Sequence, residues 1–188
     1  MDCEALGIAG VFLVRAKRHE DERGFFSEVY NQQALEAVGL TDVYVQDNHS
    51  LSRDQGTVRG LHFQIEPHPI AKLIRVTRGA IVDVVVDIRR GSPTYGQHVA
   101  RELTATSGDQ LYVPIGCAHG FCTTMPDTEV IYKVTDYWSS EVDRGIAWND
   151  PDLSIEWPVA EEEAILSAKD RAQPLLRETP GYFEWSVT

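Results

Sequence analysis

Short apolar runs separated by glycine, proline and polar residues follow one another through most of this 188-residue chain. Runs of this length that are rich in valine and isoleucine and end at turn residues are typical of β-strands, and their close succession is typical of an all-β sandwich or barrel. The pattern predicts extended segments at residues 6–14, 44–45, 58–64, 72–76, 81–88, 98–103, 110–113 and 130–138, with a polar stretch at 48–56 between two of them.

Two segments have a helical pattern instead. Residues 32–38 are expected to form two turns of helix ending at Gly39, and residues 161–172 a second helix that Pro174 stops. The chain contains neither an internal repeat nor a linker, so residues 1–188 are predicted to form one domain.

The longest apolar run carries an aspartate in its middle. In a strand over residues 81–88, Ile81, Asp83, Val85 and Asp87 lie on one face, because successive side chains alternate. The carboxylate of Asp83 is therefore expected among apolar neighbours, where it needs a partner.

Residues 108–119 contain Gly108, Pro114, Gly116 and His119 in the pattern G-x5-P-x-G-x2-H. This pattern resembles the second signature of the cupin superfamily, in which a strand meets a Pro–Gly turn and the histidine points into the mouth of a barrel. The resemblance predicts an all-β cupin fold, a double-stranded β-helix or jelly roll, with short flanking helices.

The first cupin signature normally supplies His-x-His and a glutamate that bind a metal. The matching stretch, residues 60–64, has a single histidine, His62. A first-row metal needs three or four converging ligands, and His62 and His119 supply two at most. We therefore expect no metal, and no other cofactor is indicated.

Charge and cysteine content bear on partners and location. The formal net charge of −12 repels nucleic acid, and it requires a site for a small phosphorylated ligand to gather arginine and lysine locally. The apolar run at 6–14 is too short to span a bilayer. Three cysteines without a CxxC pair indicate neither a disulfide framework nor a thiolate zinc site. We expect a cytoplasmic protein that binds neither nucleic acid nor membrane.

A set of ordered motifs resembles the dTDP-4-dehydrorhamnose 3,5-epimerases over about residues 8–175. The motifs are DERGFFSE at 21–28, QDN at 46–48, RGLHFQ at 59–64, KLIRV at 72–76, DVVVDIR at 83–89, PIGCAHGF at 114–121, YKVTDY at 132–137, WNDP at 148–151 and LSAKD at 166–170. Many motifs in matching order and spacing are far more specific than any one of them.

The resemblance implies a substrate and a chemistry. The family acts on dTDP-4-dehydro-6-deoxy-D-glucose, whose keto group at carbon 4 acidifies the protons on carbons 3 and 5. Inversion needs a base and an acid on opposite sides of the ring, and a group that holds the enolate oxygen. By resemblance His62 is the base with Asp170 as its partner, Tyr132 is the proton donor, and Lys72 neutralises the charge that develops on the oxygen at carbon 4.

The resemblance also implies binding residues. Arg23, Arg59 and Lys169 would meet the diphosphate, and His119 the sugar. Glu28, Gln46 and Asn48 match contacts to the nucleotide. Two of the implied substrate-binding positions depart from the family: Trp138 stands where a tyrosine is expected, and Asp143 stands where glutamate is common, which gives a shorter arm for one contact to the substrate. Either Trp138 or its neighbour Tyr137 is expected to stack on the base.

One geometric condition must be met. In an unbroken strand Arg59 and His62 point to opposite faces, so a bulge at Gly60 is needed to bring them together. Otherwise Arg59 serves a site across a subunit boundary, since the resemblance implies a homodimer.

Three alternatives remain open at this level. A carbon-3-only epimerase of a deoxysugar pathway shares the fold and most of the site. A metal-dependent cupin enzyme would need ligands beyond His62 and His119, and a non-catalytic sugar-binding module would not need the His62–Tyr132 pair. Rhamnose synthesis and secondary-metabolite pathways are equally compatible, and the nucleotide preference is not fixed by these motifs.

Overall fold

The computed structural model describes residues 1–186. Its strands are β1 (Asp2–Ala5), β2 (Phe12–Arg15), β3 (Arg18–Asp21), β4 (Gly24–Ser27), β5 (Gln46–Ser52), β6 (Val58–Gln64), β7 (Lys72–Arg78), β8 (Ala80–Asp87), β9 (Arg89–Arg90), β10 (His98–Thr104), β11 (Gln110–Val113), β12 (Cys117–Thr123), β13 (Thr128–Val134), β14 (Asp143–Gly145) and β15 (Phe183–Glu184). Its α-helices are α1 (Gln32–Glu36) and α2 (Ala168–Arg171), and single 3-10 turns lie at Glu161–Glu163 and Leu176–Glu178.

Two antiparallel sheets form the body of the molecule. One has the strand order β1-β2-β11-β7-β13-β5 and the other β10-β8-β12-β6-β14. Successive strands from β5 to β8 lie alternately in the two sheets, and so do successive strands from β10 to β13. Strands β8 and β10 are neighbours in the five-stranded sheet. This interleaving confirms the predicted all-β jelly roll with short flanking helices.

The space between the sheets is filled by branched aliphatic side chains. Ile74 on β7 and Val130 on β13 pack with Ile81 and Val85 on β8 and with Phe121 on β12. Full burial of such a side chain stabilises a fold by about 1.5–3 kcal/mol. This packing also places Asp83 on the inner face of β8, as the alternation predicted.

The other face of β8 is covered as well. Val84 and Val86 are fully buried against Ile146, Leu153 and Leu176 from the segments that follow β14. A strand that is covered on both faces reads as one continuous apolar run, which is why residues 81–88 gave the strongest strand signal.

The N-terminal prediction is wrong in its bounds. Residues 6–14 are not one strand, because a turn at residues 6–11 separates β1 from β2, closed by a hydrogen bond from Leu6 N to Val11 O at 2.9 Å. Ile8 and Val11 are apolar because the turn itself is buried, so the apolar run did not distinguish turn from strand.

The polar stretch at 48–56 hides a strand. β5 begins at Gln46, after residues 44–45, and pairs with β13 along its whole length at the edge of the six-stranded sheet. An edge strand tolerates polar residues on both faces. β13 itself ends at Val134, so the extension predicted to residue 138 is wrong.

The helix predicted over 161–172 is also wrong. Glu161–Glu163 form one 3-10 turn, the chain is then extended, and α2 is a single turn. The extended part exists because Ala164 is buried with Trp148 and because Ile165 exchanges backbone hydrogen bonds with Gly56 and Val58. The first helix is confirmed in a shorter form, since α1 ends at Glu36 and Gly39 follows with a left-handed φ of 90°.

Within residues 1–186, no helix has the length and apolar character that crossing a membrane requires.

Candidate active site

A cavity of about 260 Å³ opens at one end of the barrel, between the two sheets. Its lining residues are Ser50, Arg59, His62, Lys72, His119, Phe121, Tyr132, Ser167, Lys169 and Asp170. Larger surface cavities of about 680 and 480 Å³ lie elsewhere and contain none of the residues predicted for the site. We place the chemistry in the smaller cavity because converging titratable groups, rather than volume, define an active site.

His62 and Tyr132 enter this cavity from opposite walls. His62 lies on β6 of the five-stranded sheet, and Tyr132 lies on β13 of the six-stranded sheet. The two sheets therefore place an imidazole and a phenol on either side of one space.

His62 is oriented by a buried carboxylate. Its Nε2 lies 2.5 Å from Oδ1 of Asp170, which is 5% exposed on α2. The hydroxyl of Ser167 donates to the other oxygen of Asp170 at 2.7 Å and caps α2 by accepting from the Asp170 backbone N–H. Burial raises the pKa of Asp170, but the hydrogen bonds from His62 and Ser167 outweigh it, so the net pKa is lowered.

Of the two alternatives for Arg59, the structure has the one with a bulge at Gly60. His119 on β12 pairs with His62, yet Phe121, two residues on, pairs with Arg59, three residues back, so β6 holds one extra residue. Gly60 has a φ of 132°, and a Cβ there would lie 2.5 Å from the Cα of Gly120. Arg59 thereby lines the same cavity as His62 in its own chain.

Lys72 forms part of the cavity floor. It is 7% exposed at the start of β7, and its Nζ donates to the backbone oxygen of His62 at 3.1 Å. Burial lowers the pKa of Lys72 to about 8, while the negative charges of Asp143 and Asp83 act against this shift. The Lys72 side chain is therefore still mostly protonated at neutral pH, and it loses its proton when the pH rises to slightly above neutral.

Asp83 finds its partner in His119. The carboxylate is fully buried, and its Oδ1 hydrogen-bonds to the Nε2 of His119, while its buried Oδ2 has no hydrogen-bond partner within residues 1–186. Burial lowers the pKa of His119, against the opposing charge of Asp83. The need for a partner was predicted, but which residue would supply it was not.

Tyr132 is a partly buried phenol. It pairs with Asn48 on β5 and with Ile74 on β7. Burial raises the pKa of Tyr132, although the charge of Arg59 acts in the opposite direction. Its hydroxyl consequently stays protonated at neutral pH and can donate.

Several predicted binding residues form the rim of the cavity. Gln46 and Asn48 point to the same side of β5 as the lining residue Ser50 and are joined by a 2.8 Å hydrogen bond. The backbone N–H of Trp138 donates to Oε1 of Gln46, and its indole N–H donates to Oδ2 of Asp143 at 3.1 Å. Asp143 also pairs with Lys169.

Two predicted residues lie neither in the cavity nor at its rim in their own chain. Arg23 is at the tip of the β3–β4 hairpin, largely exposed and paired with Asp21, and Glu28 is exposed just after β4. Tyr137, the alternative to Trp138 as the stacking residue, is exposed beside the rim.

Three residues that line the cavity were not among the predicted site residues. Ser50 lies in a polar stretch outside the quoted motifs, and Phe121 ends the motif at 114–121 but was given no role. Ser167 stands three residues before Asp170 in the spacing of a helix cap. Against the net charge of −12, the cavity gathers Arg59, Lys72 and Lys169 around a single carboxylate lining residue, Asp170. Over residues 1–186, no three His, Cys, Asp or Glu side chains converge as a metal-binding group.

A family model described as dTDP-4-dehydrorhamnose 3,5-epimerase matches residues 5–178. A protein of that name from Sinorhizobium fredii is 50% identical over 97% of this chain and 93% of its own.

Solved structures agree. The dTDP-4-dehydrorhamnose 3,5-epimerase from Bacillus anthracis, with TDP and PPi bound, superposes with a TM-score of 0.90 at 48% identity, covering 93% of this chain and 98% of the other. The dTDP-6-deoxy-D-glucose-3,5-epimerase from Legionella pneumophila, in complex with dTDP-4-keto-L-rhamnose, gives 0.94 at 38% identity, covering 99% of both chains. Sequence and structure together show that this chain belongs to the dTDP-4-dehydrorhamnose 3,5-epimerase family.

Proposed function

We propose that this protein is an isomerase that converts dTDP-4-dehydro-6-deoxy-D-glucose to dTDP-4-dehydro-L-rhamnose by inverting carbons 3 and 5. The proposal is carried by one observation: His62 and Tyr132 face one cavity from opposite sheets. Inversion requires removal of a proton from one face of a carbon and its return to the other.

His62 removes the proton in this mechanism. Because the carboxylate of Asp170 is ionised, it accepts the Nε2–H of His62, which leaves Nδ1 as the nitrogen free to take a proton from carbon. The imidazolium that forms is then stabilised by the same carboxylate.

Lys72 stabilises the intermediate. Loss of a proton next to the keto group moves an electron pair onto the oxygen at carbon 4, which gives an enolate. A buried ammonium that is already in place needs no reorganisation to meet this charge. His119, beside His62 in the sheet, is proposed to contact the sugar.

Tyr132 completes the inversion by donating its proton to the opposite face of the carbon. Its raised pKa keeps the phenol protonated until the enolate collapses. Solvent returns a proton to Tyr132 and removes one from His62 before the second carbon is inverted, and no cofactor enters the proposed cycle.

The nucleotide is proposed to lie across the rim. Arg59 and Lys169 meet the diphosphate, with bidentate contacts from the arginine. Gln46 and Asn48 contact the nucleoside, and Trp138 rather than Tyr137 stacks on the base, because Trp138 is tied to Gln46 and Asp143 beside the cavity. Arg23 can contact the diphosphate, and Glu28 the nucleotide, only if they reach the cavity of a second copy of the chain.

We propose a homodimer for that reason. The β3–β4 hairpin carries Arg23 at its tip and exposes Phe25 and Phe26, the latter to 72%. Adjacent exposed aromatics mark an interaction surface. Light scattering should give twice the 21.1 kDa chain mass, and a mass of 21.1 kDa at micromolar concentration would contradict the dimer.

We also propose a cytoplasmic location. Cys3, Cys117 and Cys122 are free thiols, as expected in a reducing compartment. Burial raises the pKa of Cys117 to about 12, which makes it an inert structural thiol rather than a nucleophile.

Solvent exchange tests the proposed function. Chelator-treated protein in D2O should introduce deuterium at both carbon 3 and carbon 5 of dTDP-4-dehydro-6-deoxy-D-glucose. Exchange at carbon 3 alone would contradict double epimerisation. Binding without exchange at high enzyme concentration would contradict catalysis, and loss of exchange on chelation would contradict a metal-free mechanism.

A further inference from the structure

The helix α2, which carries Asp170, is a single turn that lies between two anchor points in the chain. Before it, the backbone N–H of Ile165 donates to the oxygen of Gly56 at 3.0 Å. After it, the backbone oxygen of Pro174 accepts from the N–H of Ala147 at 2.8 Å. Helices shorter than about 12–15 residues are marginal on their own in water, so the anchors set the position of the Asp170 carboxylate.

A buried carboxylate strengthens the second anchor. Asp150 is 2% exposed, and its Oδ2 accepts from the backbone N–H of Leu176 at 2.7 Å. Its Oδ1 accepts from the backbone N–H of Asp152 at 2.9 Å. Asp150 thus joins the loop that follows β14 to the segment that follows α2, and it does so from outside the cavity that holds His62.

The same loop is attached to β6 beside the imidazole. Gly145, at its start, pairs with His62. The amide end of Gln173 packs so closely on Gly145 that a Cβ there would lie 2.5 Å from the Cδ of Gln173. Residues 145–150 therefore contact the strand of His62 on one side and the segment that follows Asp170 on the other.

We propose that Asp150 is a positioning residue for the His62–Asp170 pair: by fixing the backbone of Leu176, it holds α2 where the Asp170 carboxylate meets Nε2 of His62. This inference rests on the proposed function, because it assigns how the base of that mechanism is oriented. The pair is separated by 2.5 Å, and a misplacement of about 1 Å at a reacting group can cost roughly 10²-fold in rate.

The link depends on an acceptor for one buried donor. In Asp150→Ala the N–H of Leu176 loses its acceptor, and the chain can satisfy this group only by moving it, which moves α2 as well. In Asp150→Asn the amide oxygen still accepts from Leu176, while the N–H of the exposed residue Asp152 can bond to water. The conservative variant should therefore recover most of what the alanine variant loses.

The imidazole reports its orientation in the free protein. At a pH where the ring is neutral, ¹⁵N spectra of histidine-labelled protein show which nitrogen carries the proton, and His62→Asn identifies the His62 signals. The wild type should have this proton on Nε2, and Asp150→Ala should shift the signals toward a mixture of tautomers. The His119–Asp83 pair joins β12 to β8 and is the internal control, whose signals should not move.

Kinetics provide the second readout. Asp150→Ala should lower kcat by roughly 10–10²-fold, whereas KM and dTDP affinity should stay nearly unchanged, because the cavity contacts to the nucleotide do not involve α2 displacement along the rim. The matched control is Asp152→Asn. It removes the exposed Asp152–Arg177 ion pair, which joins the same two segments at the surface, and it should leave kcat unchanged.

A second variant removes the donor instead of the acceptor. Leu176 is the first residue of a 3-10 turn and follows Leu175, whose backbone is extended with ψ of 153°. Proline is accepted at such a position, so Leu176→Pro deletes the N–H without opposing the backbone conformation. It should shift the His62 signals as Asp150→Ala does, and it decides the question if Asp150→Ala does not fold.

The two proposals fail in different ways. If the wild-type protein does not exchange substrate protons, the proposed function is wrong, and the histidine spectra still decide whether Asp150 orients His62. If the wild type is active and Asp150→Ala keeps the wild-type kcat, the positioning role is wrong and the proposed function stands. A lower kcat with unchanged His62 signals would also overturn the positioning role.

Discussion

At the scale of single residues, Asp170 acts through His62. Asp170→Asn removes the charge that fixes the imidazole tautomer and stabilises the imidazolium, so kcat should fall by roughly 10²–10⁴. dTDP affinity should change little, because the recorded side-chain bonds of Asp170 go to His62 and Ser167. Steady-state kinetics and calorimetry of dTDP binding measure both, and a kcat within a factor of a few of wild type would remove Asp170 from the mechanism.

Asp170 also links stability to pH. Its folded-state pKa lies below the ordinary carboxyl value near 4, so its contribution to the free energy of unfolding is present above that pH and is lost as the pH falls through the folded-state value. The stability difference between wild type and Asp170→Asn should therefore shrink in urea titrations toward acid pH.

Lys72 gives opposite pH trends for rate and stability. With a pKa of about 8, the cation is lost as the pH rises past 8, so kcat should decline there. Above that pH the unfolded chain binds more protons than the folded one, so stability should rise with pH up to about 10, by about 3 kcal/mol in total.

Substitutions at this position separate the two effects. Lys72→Ala should lower kcat by roughly 10²–10³, the range for loss of one preorganised partner of an oxyanion. Lys72→Met, which keeps the side-chain volume, should abolish the rise in unfolding free energy between pH 8 and 10. An unchanged pH profile of stability in Lys72→Met would show that burial does not lower the lysine pKa.

At the scale of elements, the bulge in β6 depends on Gly60. Gly60→Ala would place a Cβ against the backbone of Gly120 at a positive φ, and since neither backbone can yield cheaply, we expect a loss of about 2–4 kcal/mol in unfolding free energy. Gly24→Ala is the matched control, because Gly24 has a similar φ of 127° but no atom within 4 Å of the added Cβ.

The urea midpoint measures this difference. The control should lose about 1 kcal/mol, which is the conformational term alone. Equal losses in the two variants would show that the Gly60–Gly120 contact is not what requires glycine.

Elements were predictable where one physical signal dominated. The strand at 81–88 is covered on both faces, and its apolar run reported that directly. β5 was missed because an edge strand whose residues face a cavity or solvent is polar, and that composition reads as a loop. The helix predicted over 161–172 was wrong because the backbone of Ile165 pairs with the chain near Gly56, and this long-range pairing holds the segment extended.

Some features of the site were likewise predictable from the local sequence, and others were not. Alternation alone placed Asp83 inside and required a partner, and the need for a bulge followed from the spacing of Arg59 and His62. The pairing of His62 with Asp170, 108 positions apart, came from family resemblance, since no local pattern encodes a contact of that separation. Ser167 was missed although its capping position was visible.

At the scale of the whole molecule, the jelly roll provides two walls that face each other. Strands β5 to β8, and strands β10 to β13, alternate between the sheets, so β6 brings His62 to one wall and β13 brings Tyr132 to the other. A base and an acid on the same sheet would face a substrate carbon from one side and would exchange its proton without inverting it. The fold thus supplies the opposition that the proposed chemistry requires.

Exchange of the proton on a substrate carbon and inversion of that carbon can be measured separately. Comparing the two tests most directly whether the base and the acid face opposite sides of the substrate. In D2O, NMR of dTDP-4-dehydro-6-deoxy-D-glucose should show that Tyr132→Phe still introduces deuterium with retained configuration while inversion falls by roughly 10²–10⁴, and that His62→Asn abolishes both processes. Tyr132→Phe that inverts carbons 3 and 5 at the wild-type rate, or His62→Asn that still exchanges, would contradict the account.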